Sequence, residues 1–83
     1  MDITEVKVRK IDNGGKLKGV ASITISNEFV VHDIKILEGK KGLYIAMPSK
    51  KNSVGDFVDI AHPVNMETRT TLSNKIITAY KEE

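Results

Sequence analysis

Ile3-Thr4-Glu5-Val6-Lys7-Val8-Arg9-Lys10-Ile11, then Asp12-Asn13-Gly14-Gly15, then Lys16-Leu17-Lys18-Gly19-Val20-Ala21-Ser22-Ile23-Thr24-Ile25-Ser26 is the stretch that decides the fold. Val6 and Val8 alternate with Lys7 and Arg9, the period of two that a half-buried strand shows. In the second run Leu17, Ala21, Ile23 and Ile25 share a face with Gly19, and Ser22, Thr24 and Ser26 point the other way. Asn and Gly between the runs accept the positive φ of a tight turn. Two such runs, rich in β-branched side chains and joined this way, predict an antiparallel hairpin.

Further strands extend it. Ser26-Asn27 connects to a third, Glu28 to Leu37, and a second hairpin is expected there. Strict alternation places Val30, His32, Ile34 and Ile36 on one face of that strand and Phe29, Val31, Asp33, Lys35 and Leu37 on the other. The continuous run Phe29-Val30-Val31 predicts a strand covered on both faces. Glu38-Gly39-Lys40-Lys41-Gly42 is a turn. A fourth strand follows, with Leu43, Ile45 and Met47 on one face and Tyr44 and Ala46 on the other. Pro48 ends it by removing a ladder donor. Ser49 to Asp56 reads as a polar loop, and Phe57 to Ile60 as a short fifth strand. Asn65 is a good N-cap with Glu67 in the first turn behind it. Leu72, Ile76, Ala79 and Tyr80 then form one apolar stripe at helical spacing. The expected architecture is α+β: an antiparallel meander of four to five strands over residues 2–60 and one C-terminal helix over about 66–82, in a single domain 1–83.

Size and composition limit the rest. The chain has 83 residues, 40% of them hydrophobic, with 13 basic and 11 acidic side chains and a net charge of +2. That balance alone does not announce a nucleic-acid binder. The absence of cysteine excludes disulfides, zinc–thiolate sites and cysteine nucleophiles. A chain this short buries only about 60–65% of its unfolded surface. One helix does not cover such a sheet, so a second copy, paired through an edge strand, is expected. No apolar run reaches the roughly 18 residues that span a bilayer. Met1-Asp2-Ile3-Thr4-Glu5 lacks the regions of a signal peptide, and a cytoplasmic protein without membrane contact is expected.

Few residues offer catalytic chemistry. His32 and Asp33 are neighbours on a strand and point apart. His32, His62, Asp56 and Asp59 match no metal motif. His32 is expected as a hydrogen-bonded core or interface residue and His62 as a tie for the loop before Pro63. The expectation is no enzyme, no metal and no cofactor. Lys41-Gly42-Leu43-Tyr44-Ile45-Ala46-Met47 opens like the signature of RNA-recognition motifs, but Leu43 and Ile45 stand where stacking aromatics would be and read as core.

Three segments carry a resemblance. Glu28-Phe29-Val30-Val31-His32-Asp33-Ile34-Lys35, Gly42-Leu43-Tyr44-Ile45-Ala46-Met47-Pro48-Ser49-Lys50 and Asp59-Ile60-Ala61-His62-Pro63-Val64-Asn65 resemble the signatures of the SpoVG family (stage V sporulation protein G). Ile3–Arg9 and Ala21–Thr24 fit it too. The resemblance implies a small bacterial cytoplasmic homodimer that binds preferred DNA sites, with RNA binding in some members, and acts in gene regulation, sporulation and septation. It puts the nucleic-acid-binding residues at Lys50 and Lys51, in the basic loop after Met-Pro-Ser, and at Arg69 and Lys75 on the helix. Relatives often carry Lys-Arg where this chain has Lys50-Lys51, and lysine, a point charge, lacks arginine's bidentate reading of guanine. The other reading is a protein-interaction module of cell division without nucleic-acid contact.

Overall fold

A computed structural model describes residues 2–11 and 14–82. Strand β1 (Ile3–Lys10) pairs antiparallel with β2 (Leu17–Ile25). The turn between them is described from Gly14 on, where φ is +75°; its Asp12 and Asn13 lie outside the described residues. β2 runs into β3 (Phe29–Gly39) through Ser26-Asn27. Both turn residues have positive φ, 52° and 56°, the conformation whose twist matches the flanking strands. The amide of Glu28 donates to the carbonyl of Ile25 at 2.9 Å and closes the turn. β4 (Gly42–Ala46) completes a four-stranded sheet in the order β1-β2-β3-β4.

The sequence expectation of four to five strands in one meander is met by four. The next strands stand apart as a ribbon. β5 (Ser49–Lys51) pairs antiparallel with β6 (Phe57–Asp59), so the expected polar loop begins as a strand. Asn52 closes the ribbon: its Oδ1 accepts from the amides of Val54 and Asp56, both at 3.0 Å. Gly55 supplies the positive φ that this turn needs.

The C-terminal helix α1 (Met66–Glu82) begins where the cap predicts. Asn65 Oδ1 accepts the Thr68 amide at 2.7 Å, which satisfies one of the open donors of the first turn. Leu72 and Ile76 bring the helix onto the sheet, against Ala21, Ile23, Ile34, Ile36, Ile45 and Met47. All eight are buried, and each large aliphatic side chain contributes roughly 1.5–3 kcal/mol. Most of a helix's stability in a protein comes from packing its apolar face, and this seam supplies that packing.

Two bulges correct the expected faces. Ala21 lies opposite Ile34 and Ile23 opposite Val31, so His32 and Asp33 together oppose Ser22. Asp33 takes φ +63° to allow this. The extra residue resets the alternation, so Val31 packs against the same core as Ile34 and Ile36. His32 is exposed and is not the core residue that strict alternation suggested. A second shift lies between Leu17 and Gly19: Leu17 pairs with Leu37, which faces away from the core, and so leaves the face of Gly19, Ala21 and Ile23.

Candidate nucleic-acid interface

The ribbon is exposed along its whole length. Every residue from Ser49 to Ile60 is exposed. The Ile60 amide donates to the Pro48 carbonyl at 2.7 Å and fixes its base to the end of β4. Lys50 lies opposite Val58 and Lys51 opposite Phe57, so the two ammonium groups leave opposite faces of the ribbon. Neither has an ion-pair partner among the described residues.

Both helix cations are also exposed. Arg69 is in the first turn, where its amide donates to the Asn65 carbonyl at 3.2 Å. Lys75 flanks a shallow hollow with Val6, Asn74 and Ala79, on the β1 side. Lys75 follows Arg69 by six positions, which puts them about 120° apart around the axis and about 9 Å apart along it. Within one chain, then, Lys50, Lys51, Arg69 and Lys75 present different directions rather than one strip.

The structure adds cations to this set. α1 covers one face of the sheet. On the other, Arg9, Val20, Lys35 and Ala46 pair in sequence across all four strands. Lys7 lies opposite Ser22 in the adjoining row, beside the His32–Asp33 bulge. Leu17, Leu37 and Tyr44 make the row on the other side. The alternation of Lys7 and Arg9 with Val6 and Val8 was the sequence signal for half of this surface. The other half needed the register of β3.

The histidines do not assemble a site. His32 opens into a surface hollow with Lys7, Arg9 and Asp33. His62 is exposed, and its Nδ1–H donates to the Pro63 carbonyl at 3.1 Å, the loop tie expected of it. Among the described residues no group of three or more His, Cys, Asp or Glu could hold a metal ion. Ile45 is buried as core and Leu43 is partly buried against it, as the departure from the RNA-recognition signature implied, and Met47 is buried with them. Among the described residues no helix is long and apolar enough to cross a membrane.

A family model for SpoVG matches residues 1–82. The chain belongs to the SpoVG family. Relatives within the SpoVG family match along the whole length. One from Agathobacter rectalis, named "Putative septation protein SpoVG", is 55% identical over 83 residues, which cover 100% of this chain and 95% of the relative. A relative of the same name from Lachnospira eligens is 57% identical over 82 residues, covering 99% and 93%. A third, from Acetivibrio thermocellus, is 56% identical over 81 residues, covering 98% and 86%. The resemblance drawn from the three sequence segments is thereby shown.

Proposed function

We propose that this SpoVG-family chain is a homodimeric, cytoplasmic nucleic-acid-binding regulator linked to septation, sporulation and gene regulation. DNA is its main partner and RNA a second. The observation that carries the reading is the ribbon, which holds Lys50 and Lys51 in solvent with no acid paired to them among the described residues. A two-stranded ribbon is one of the shapes that a major groove admits. Lys50 and Lys51 contact phosphates from it, with Arg69 and Lys75 contributing from the helix, and affinity exceeds specificity. No enzyme activity, cofactor or membrane enters this reading.

Dimerisation is supported by the free side of β3. β4 pairs only with Lys35 to Gly39, which leaves Phe29–Ile34 without a strand on that side among the described residues. Phe29 and Val30 are exposed there. An open apolar edge is a template for a second copy.

The test is a mobility-shift titration with duplex DNA and RNA of several sequences across a range of salt. Binding that weakens steeply with salt supports the reading, and no shift even at low salt ends it. The competing reading, a protein-interaction module of cell division, is favoured by the exposed Val54, Phe57, Val58, Ile60, Val64 and Met66. It predicts a salt-insensitive protein partner in place of the shift.

A further inference from the structure

The face of the sheet opposite α1 has no covering element among the described residues, and it has an ordered pattern. Its central row is Arg9, Val20, Lys35 and Ala46, one residue from each strand. Arg9 and Lys35 stand two strand spacings apart, about 10 Å, with only a valine between them. Tyr44 lies two residues from Ala46 on the same face, about 7 Å along β4. Tyr44 is 44% exposed, while its neighbours Leu43 and Ile45 point into the core. Two hollows share Val20 and Asp33 on this face. One, of about 450 Å³, reaches Lys7, Arg9 and His32. The other, of about 280 Å³, reaches Lys35 and the base of the ribbon at Ser49 and Ile60.

We infer that this open face is a platform for single-stranded nucleic acid, with Tyr44 stacking on a base and Arg9, Lys35 and Lys7 holding phosphates. The inference rests on the nucleic-acid reading above and gives it a second surface. Shape separates the two surfaces. Four strands span about 14 Å before side chains are added, too broad for a major groove about 12 Å wide. An extended strand laid across them meets no such limit. Stacking on Tyr44 requires a base free of its partner, which only a single strand offers. The two hollows join the sheet face to the base of the ribbon, so a strand lying over Lys35 leads toward Lys50.

Charge argues against a second copy on this face. Two such faces stacked on one another would bring the Arg9–Lys35 rows together. Two acids oppose the anion. Glu5 lies 3.9 Å from Lys7 Nζ and neutralises part of it. Asp33 lies between the two hollows. The platform is therefore weaker than its cation number suggests, and Asp33 sets how weak.

The probe is fluorescence anisotropy with an oligouridylate of about ten nucleotides and, separately, a duplex DNA, using the full chain. Tyr44→Ala weakens oligouridylate binding by about fivefold or more, and Tyr44→Phe keeps it within about twofold. Arg9→Ala with Lys35→Ala lowers the salt slope by about 1.4, the share of two phosphates on a single strand. Asp33→Asn strengthens binding, a gain that misfolding does not produce. Duplex binding stays within about twofold in all four variants. If the parent binds duplex but not the oligouridylate, or binds it and Tyr44→Ala and the Arg9/Lys35 pair leave it unchanged, the platform is refuted while the regulator reading stands. If the variants change the oligomeric state and not the oligouridylate affinity, the face is a self-association surface and the platform is again wrong. If the parent binds neither probe, the broader reading fails with it.

Discussion

Replacing Lys50 and Lys51 together by alanine isolates the contribution to DNA binding that we propose for the ribbon. The two side chains are exposed, leave opposite faces of the ribbon and have no acid partner among the described residues. Their loss therefore exposes no buried charge and leaves the folded core untouched. Each phosphate neutralised on duplex DNA contributes about 0.9 to the slope of log K against log salt. Two contacts contribute about 1.8 per chain. If the counterion contribution vanishes near 1 M salt, the double variant binds about 60-fold more weakly at 0.1 M, a loss of about 2.4 kcal/mol. At 0.4 M the same law leaves only about a fivefold loss. A dimer with both ribbons engaged doubles the change in slope. The assay is anisotropy or mobility shift at four or five salt concentrations, on several sequences. The weakening is the same on each of them, because phosphate contacts carry no sequence information. A variant slope within about 0.5 of the parent's would show that the lysines do not meet phosphate, and the ribbon would lose its assigned role.

Three other perturbations test the fold and the assembly. Asn65→Ala removes the side-chain acceptor of the Thr68 amide and costs about 1 kcal/mol, lowering the melting temperature by about 4–8 °C in calorimetry. An unchanged melting temperature would mean that the cap adds nothing to the Leu72–Ile76 seam. Ser26→Gly relieves a non-glycine residue held at φ 52° and raises the melting temperature by a few degrees, the yield of about 0.5–1 kcal/mol; a fall would contradict the turn geometry. Phe29→Lys places a charge on the open side of β3, where Phe29 is 65% exposed. With the proposed dimer built on this edge, sedimentation shifts from dimer toward monomer while the circular dichroism spectrum stays as in the parent; an unchanged sedimentation profile would refute a dimer paired through this edge.

The candidate site was legible in part. Lys50 and Lys51 stood out in the sequence as basic residues after a strand-ending proline, and they do project into solvent. Their strand did not stand out, because Ser49-Lys50-Lys51 has neither the β-branched residues nor the alternation that marks a strand. It forms because Asn52 and Gly55 close a turn that brings Phe57–Asp59 alongside. Arg69 and Lys75 were legible as exposed cations on a helix. The row of Arg9, Val20, Lys35 and Ala46 was not, since its four residues are distant in the chain and meet only through the sheet register.

Local sequence is enough for the hairpin joint at Ser26-Asn27, the start of the helix and the side of it that is buried. Each depends on residues within a few positions: Ser26-Asn27 for a two-residue turn, Asn65 for a cap, Leu72 and Ile76 for a stripe. Only the tertiary structure decided where the alternation of β3 slips. Asp33 accepts an unfavourable backbone angle because Val31 and Ile34 can then both pack on the helix side, opposite Ile23 and Ala21. The gain lies in contacts across strands and against α1, so no pattern along β3 alone records it. The same slip turns His32 to the surface and sets which side chains the uncovered face presents.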